Sequence, residues 1–145
     1  MADDPIRVLF VCAGNSARSQ MAEALLGRIG GDRFEAFSAG TEPKAVNPYT
    51  IRVLDEEGID WSTARSTSVL DYLGQPFDVV ITVCDSARQT CPVFPGVHRR
   101  VHWDLEDPAE VVGDDETRLA AFRKTYAELE ALIRPFVDEA RAASS

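Results

Sequence analysis

Residues 8–20 read VLFVCAGNSARSQ: four apolar residues run into Cys12, five small or polar residues follow, and then comes Arg18. The run from Ile6 to Val11 carries a single arginine, as expected of a central parallel strand covered on both faces. Beyond the small residues, Met21, Ala24, Leu25 and Ile29 recur at helical spacing, and Gly30-Gly31 ends that helix. A strand that turns into a helix through Ala13-Gly14-Asn15-Ser16-Ala17 can curl its backbone until several N–H groups converge. That makes an anion-binding nest at the positive end of the helix dipole. Small side chains keep the concavity open, Asn15 tolerates left-handed backbone, and Gly14 removes steric cost. Arg18 adds a forked cation able to hold two oxygens of a tetrahedral anion. The same field favours the thiolate of Cys12, which makes it a nucleophile, and the Ser19 hydroxyl is placed to donate to that sulfur. The plainer alternative is a small buried hydrophobe at a strand end. Cys-x5-Arg on a strand, loop and helix is a much narrower pattern than a lone cysteine.

Working outward, strands and helices alternate. Phe34 to Ser38 reads as a second strand punctuated by Gly40. Asn47-Pro48 reads as an N-cap with proline at the first helical position, opening a helix through Ile51, Val53 and Leu54 that stops near Gly58. Trp61 to Leu73 reads as loop plus a short helix. Phe77 to Val83 is a strong strand ending on Cys84, and Arg99 to Trp103 is a fourth. Leu119, Phe122, Tyr126, Leu129, Ile133 and Phe136 mark one apolar face of a last helix, with Asp114 or Asp115 as its cap. The expectation is an α/β fold: a doubly wound four-stranded parallel sheet flanked by helices, with residues 1–145 as one domain. In such a sheet ligands sit beyond the carboxyl ends of the strands at the switch in strand order, where both Cys12 and Cys84 fall.

Composition narrows the function. The formal net charge of −9 argues against nucleic acid or an anionic membrane as partner, so any anion must be bound locally. The chain opens acidic, with no apolar stretch of signal-peptide or membrane-spanning length, and a cytoplasmic location is expected. Three widely spaced cysteines, Cys12, Cys84 and Cys91, do not form a secreted disulfide framework. They contain no Cys-x2-Cys pair, and His98 and His102 stand at no usual zinc-finger spacing from them. The thiols are therefore either inert packing residues or chemistry.

CAGNSARS (12–19) resembles the oxyanion loop shared by low-molecular-weight protein tyrosine phosphatases and the arsenate reductases built on the same fold. SQMAEALL (19–26), FSAGTEP (37–43), VCDSARQTCPVFPG (83–96) and HWDLEDPAE (102–110) resemble the thioredoxin-coupled arsenate reductases in particular. The resemblance covers roughly residues 6 to 137. It implies that Ala13, Gly14, Asn15, Ser16, Ala17, Arg18 and Ser19 bind the oxyanion and that Cys12 attacks arsenate. Cys84 then attacks the Cys12 sulfur and releases arsenite, Cys91 attacks Cys84, and thioredoxin reduces the Cys84–Cys91 disulfide. Asp107 would be the general acid, on a loop stiffened by Pro108, with Asp104 its nearest competitor and Glu106 and Glu110 on a solvated face.

The resemblance also brings a potassium site at Asn15, Glu23 and Ser38, but Thr67-Ser68 is followed here by Val69 where those relatives carry an aspartate. No cofactor is required by this reading. Where the phosphatases commonly place two aromatic residues after the Asp-Pro pair, Ala109 and Glu110 stand here, which weakens the phosphotyrosine alternative. Phosphate or sulfate would compete for the nest, and weak phosphatase activity would accompany the reductase. A phosphatase, or a non-enzymatic thiol redox sensor, is the competing reading. The protein is expected to act as a monomer.

Spacing adds one constraint. If residues 84–91 were helical, seven steps of ~1.5 Å would separate the two α-carbons by ~10.5 Å, whereas a disulfide tolerates about 7 Å. The segment 84–97, with Pro92, Pro95 and Gly96, is therefore expected to be mobile and to unwind on oxidation.

Overall fold

The computed structural model describes residues 4–84, 91, 94, 96, 97 and 99–143. Four parallel strands form one sheet: β1 (Ile6–Cys12), β2 (Phe34–Gly40), β3 (Val79–Thr82) and β4 (Arg99–His102), in the order β2-β1-β3-β4. β1 lies between two neighbours, which is why its sequence does not alternate: Val8, Leu9, Phe10 and Val11 are all fully buried. The chain leaves β1 for β2 on one side and returns past it to β3 on the other. The switch in strand order thus falls between the carboxyl ends of β1 and β3.

Three helices flank the sheet among the described residues: α1 (Arg18–Gly30), α2 (Pro48–Glu56) and α3 (Asp115–Ala143). α1 buries Met21, Ala22, Leu25 and Leu26, and Gly31, at φ 59°, ends it. α2 is capped by Asn47, whose side chain accepts from Tyr49 N at 2.9 Å. α3 packs on α1 and α2 through the predicted face, with Leu119, Phe122, Tyr126, Leu129, Ile133 and Phe136 all buried. Asp114 caps α3 by accepting from Thr117 N at 2.9 Å. Asp115 instead accepts from Arg52 at 2.8 Å and from the Tyr49 hydroxyl at 2.9 Å, tying α3 to α2. The buried residues form one continuous core from Val8 to Val137.

The start of β3 differs from expectation for an identifiable reason. β3 begins at Val79 rather than Phe77, because the Asp78 carboxylate takes Arg7 N at 2.8 Å. Phe77 turns into a ring cluster with Phe37, Tyr72 and Phe94, at centroid distances of 5.5 to 5.7 Å. Arg7, the one charge in the first strand, closes that edge: its Nε donates to Pro76 O at 2.7 Å and its guanidinium lies 4.5 Å from the Phe37 ring centre. The stretch after Trp61 is loop followed by a 3-10 turn, Val69–Tyr72, and it pairs with the end of β2 through a bridge between Ser68 and Gly40. Of the segment 84–97, only Cys84, Cys91, Phe94, Gly96 and Val97 belong to the described residues, so the expected mobility lies outside them, as does His98. No helix among the described residues is long and apolar enough to cross a membrane.

Candidate active site

Cys12 is the last residue of β1, and the loop 13–17 wraps over its sulfur before α1 begins. The shape of that loop follows from where its carbonyls go. Cys12 O accepts from Thr41 N at 3.1 Å, Ala13 O from Glu42 N at 2.8 Å, and Gly14 O from Lys44 N at 2.8 Å. Asn15 O accepts from Gln20 Nε2 at 3.0 Å and Ser66 Oγ at 2.8 Å; Ser16 O accepts from Asn47 N at 3.0 Å; Ala17 O takes Met21 N at 2.9 Å in the first turn of the helix. In a trans peptide the following N–H points opposite to the carbonyl. Anchoring the carbonyls of residues 12–17 to the surrounding protein therefore turns the N–H groups of residues 13–18 toward the enclosed space. Asn15 N already donates to Cys12 Sγ, at 3.2 Å. The result is an anion nest with a sulfur on its floor.

Asn15 is the hinge of this arrangement. Its φ of 47° makes it the one non-glycine residue in the left-handed region among those described. Its side chain offsets the strain with three contacts: Nδ2 donates to Ser19 Oγ at 2.8 Å, and Oδ1 accepts from Thr67 N at 2.8 Å and Gln20 Nε2 at 3.1 Å. The left-handed residue is thus Asn15, as its tolerance of that backbone led the sequence to suggest, and Gly14 is not in the left-handed region. A Cβ there would meet Ser16 Oγ at 3.4 Å and Lys44 Cδ at 3.7 Å, which is ordinary contact, so its smallness serves the openness of the loop. The glycine the loop requires is Gly40. A Cβ at that position would stand 2.6 Å from Ala13 O and 3.0 Å from Asn15 N. Sequence reading treated Gly40 only as punctuation.

Ser19 and Cys12 are both buried, with 2.9 Å between Oγ and Sγ. Ser19 Oγ accepts from Asn15 Nδ2, and its own hydrogen is available to the sulfur whenever Cys12 is a thiolate. Arg18 reaches across to the loop carrying the acid: one terminal nitrogen donates to Leu105 O at 3.0 Å, and the other lies 3.6 Å from Asp107 Oδ2. Asp107 also caps the 3-10 turn Pro108–Glu110 by accepting from Ala109 N at 3.0 Å. Its carboxylate is thus fixed at the cavity wall, whereas Asp104, Glu106 and Glu110 are exposed. Cys12, Ala13, Gly14, Ser16, Ala17, Arg18, Asp107 and Ala109 all line one cavity of about 240 Å³, together with Lys44, Ala45 and Asn47.

Cys84 and Cys91 do not line that cavity. Cys84 is buried in the core two residues beyond β3, and Cys91 is half-buried; none of the three cysteines is in a disulfide. Burial pushes the Cys91 thiol above its ordinary range, with Arg100 pulling it partly back.

Glu23 and Ser38 form a separate pair. Ser38 Oγ donates to Glu23 Oε1 at 2.5 Å, and burial raises the carboxyl to about 6 against the lowering effect of that bond. The oxygens of the expected potassium site are partly committed: Asn15 Oδ1 already holds two donors, Ser38 and Glu23 Oε1 are bonded to each other, and the buried Val69 brings no oxygen where the relatives it resembles carry an aspartate. Next to this pair, Trp61 Nε1 donates to Gln20 Oε1 at 2.8 Å, and Gln20 in turn holds Asn15. That brace joins residues 61, 20 and 15, and no local motif announces it.

A parallel sheet with a cysteine nucleophile at its switch point, an amide nest above the sulfur and an arginine and a carboxylate at the rim defines an enzyme that works on tetrahedral oxyanions through a covalent cysteine adduct. The chain matches the model for low molecular weight phosphotyrosine protein phosphatases over residues 7–144, and it belongs to that family. An arsenate reductase of Halalkalibacterium halodurans is 40% identical over 131 residues, covering 90% of this chain and 94% of that one. A solved arsenate reductase in a phosphate-binding state superposes with a TM-score of 0.79 at 30% identity, covering 92% of this chain and 98% of that one. A thioredoxin-dependent arsenate reductase of Corynebacterium glutamicum gives a TM-score of 0.76 at 30% identity, over 99% of this chain and 65% of that one.

Proposed function

We propose that this protein reduces arsenate to arsenite through Cys12, Cys84 and Cys91, with thioredoxin as the electron donor. The observation that carries the reading is Cys12 Sγ on the floor of the nest, held by Asn15 N and the Ser19 hydroxyl, in a chain with two further thiols. The amides of the nest and Arg18 hold arsenate oxygens while the sulfur attacks arsenic. Asp107 gives its proton to the departing oxygen, which leaves as water. Cys84 as thiolate then attacks the Cys12 sulfur. The sulfur–arsenic bond breaks, its electron pair stays on arsenic, and arsenic(V) becomes arsenite as two thiols become one disulfide. Cys91 attacks Cys84, expels Cys12 as thiolate, and leaves a Cys84–Cys91 disulfide for thioredoxin to reduce.

The same nest accepts phosphate esters, so slow phosphatase activity is part of this reading, as kinship with the phosphatases supports. The relay runs without a bound cation. A reducing cytoplasm suits it, and with few large apolar side chains exposed, Val112 and Leu70 chief among them, a monomer suffices. The test measures arsenite formation with a thioredoxin system and aryl phosphate hydrolysis in parallel, for wild type, Cys84→Ser and Cys91→Ser. Loss of multiple turnovers in both variants with phosphatase activity retained supports the relay. Sustained arsenate reduction by Cys91→Ser rejects it.

A further inference from the structure

Lys44 is absent from every sequence-level reading of the site, yet it forms part of its wall. It lies on the strap of residues 41–47 whose amides anchor the loop carbonyls, and its own N–H donates to Gly14 O at 2.8 Å. Its stem runs across Gly14: a Cβ built on that glycine would lie 3.7 Å from Lys44 Cδ and 3.8 Å from Cγ. Any larger residue at 14 would push against the stem. Lys44 also borders a second cavity of about 410 Å³, which Arg65 lines as well. Among the described residues Lys44 has no ion-pair partner, in a chain of net charge −9.

The charges in the catalytic cavity show what such a cation is for. Arg18, whose guanidinium lies 3.6 Å from the Asp107 carboxyl, brings one positive charge to the cavity. An attacking Cys12 thiolate is a further negative charge. The amino end of α1 contributes about half a positive charge, and the nest amides add hydrogen bonds but no net charge. A dianionic oxyanion therefore enters a site that, without Lys44, is not positive enough to draw two negative charges onto an anionic sulfur. Lys44 is the remaining cation in the wall of the cavity.

We infer that Lys44 is a substrate-capturing and specificity-determining residue, whose ammonium compensates the second negative charge of the tetrahedral oxyanion as it docks over Cys12. This rests on the oxyanion-site reading above and deepens it. The ammonium acts on binding rather than on bond-making, because the nest and Arg18 already address the oxygens at the reacting centre. It is also the part of the site that salt screens most, being exposed where Arg18 is not.

The test has a binding arm independent of arsenate reduction. Cys12 is alkylated with iodoacetamide, mapped by mass spectrometry, in increasing sulfate at low ionic strength, for wild type, Lys44→Met and Lys44→Arg. Methionine keeps an unbranched stem over Gly14 and removes the charge. Lys44→Met is expected to need about tenfold more sulfate for half-protection, with Lys44→Arg close to wild type. In turnover, Lys44→Met is expected to raise the KM for arsenate by a similar factor, to hold kcat nearly constant and to flatten the dependence of kcat/KM on salt. Equal protection of wild type and Lys44→Met overturns the assignment of Lys44 while leaving the oxyanion site intact. Equal weakening in Lys44→Met and Lys44→Arg makes the role one of packing and overturns it too. Failure of sulfate to protect wild-type Cys12 overturns both the inference and the oxyanion reading.

Discussion

At the scale of single residues, the site is a set of bonds that decide what one sulfur can do. The Ser19 hydroxyl lies 2.9 Å from Cys12 Sγ, and because it also accepts from Asn15 Nδ2 its hydrogen is free to turn toward the sulfur. Ser19→Ala removes the hydroxyl that can donate to the Cys12 sulfur, and the alkylation rate of Cys12 at neutral pH is expected to fall about tenfold with the circular dichroism spectrum unchanged. An unchanged rate would show that the hydroxyl does not support the thiolate. Glu23 supplies a second residue-level prediction, this time on stability. Its carboxyl is raised from 4.5 to about 6 by burial, so between those pH values the folded protein binds more protons than the unfolded chain. Stability is therefore present below about pH 4.5 and is lost as pH rises through 6, by up to about 2 kcal/mol from this one group. Urea unfolding across that range is expected to show the slope in the wild type. Glu23→Gln, which can still accept from Ser38, is expected to remove its Glu23 component.

Elements place those residues, and they do so through close approach. The loop 13–17 is held by the strap 41–47 on one side and by Ser66 and Thr67 on the other, and Gly40 is where the end of β2 passes under it. Gly40→Ala would drive a methyl group against Ala13 O, so the loop must shift. The expected result is sulfate protection of Cys12 weakened by tenfold or more, with a loss of about 1–3 kcal/mol in stability. Sulfate binding as tight as in wild type would show the loop to be more compliant than its contacts imply. At the same scale α3 closes the core on α1 and α2. Leu129→Ala, at a fully buried position, is expected to cost about 2–5 kcal/mol in chemical denaturation without moving the KM for arsenate, because no α3 residue lines the catalytic cavity.

The whole molecule sets the distance between chemistry that has been assembled and chemistry that must still move. Cys12, Asn15, Arg18, Ser19 and Asp107 already stand together, while Cys84 is buried and absent from the cavity wall. Iodoacetamide is therefore expected to label Cys84 far more slowly than Cys12 in the resting enzyme, as mapped by mass spectrometry; equal rates would mean that Cys84 is readily reached. The sequence by itself determined the order of strands and helices and the cysteine, nest and arginine, because these are local: an unbroken apolar run, a string of small residues, a 3-4 spacing, an Asn-Pro start. Asp107 came instead from the resemblance of residues 102–110 to the reductases, with Pro108 marking only a stiff loop. Tertiary structure alone decided that Gly40 must lack a side chain and that Gln20 and Trp61 brace Asn15. It also brought Lys44 to the anion pocket and committed the oxygens around Glu23 elsewhere. Each of these depends on atoms far apart in the chain meeting at van der Waals or hydrogen-bond distance, and such meetings leave no period or spacing in the sequence to read.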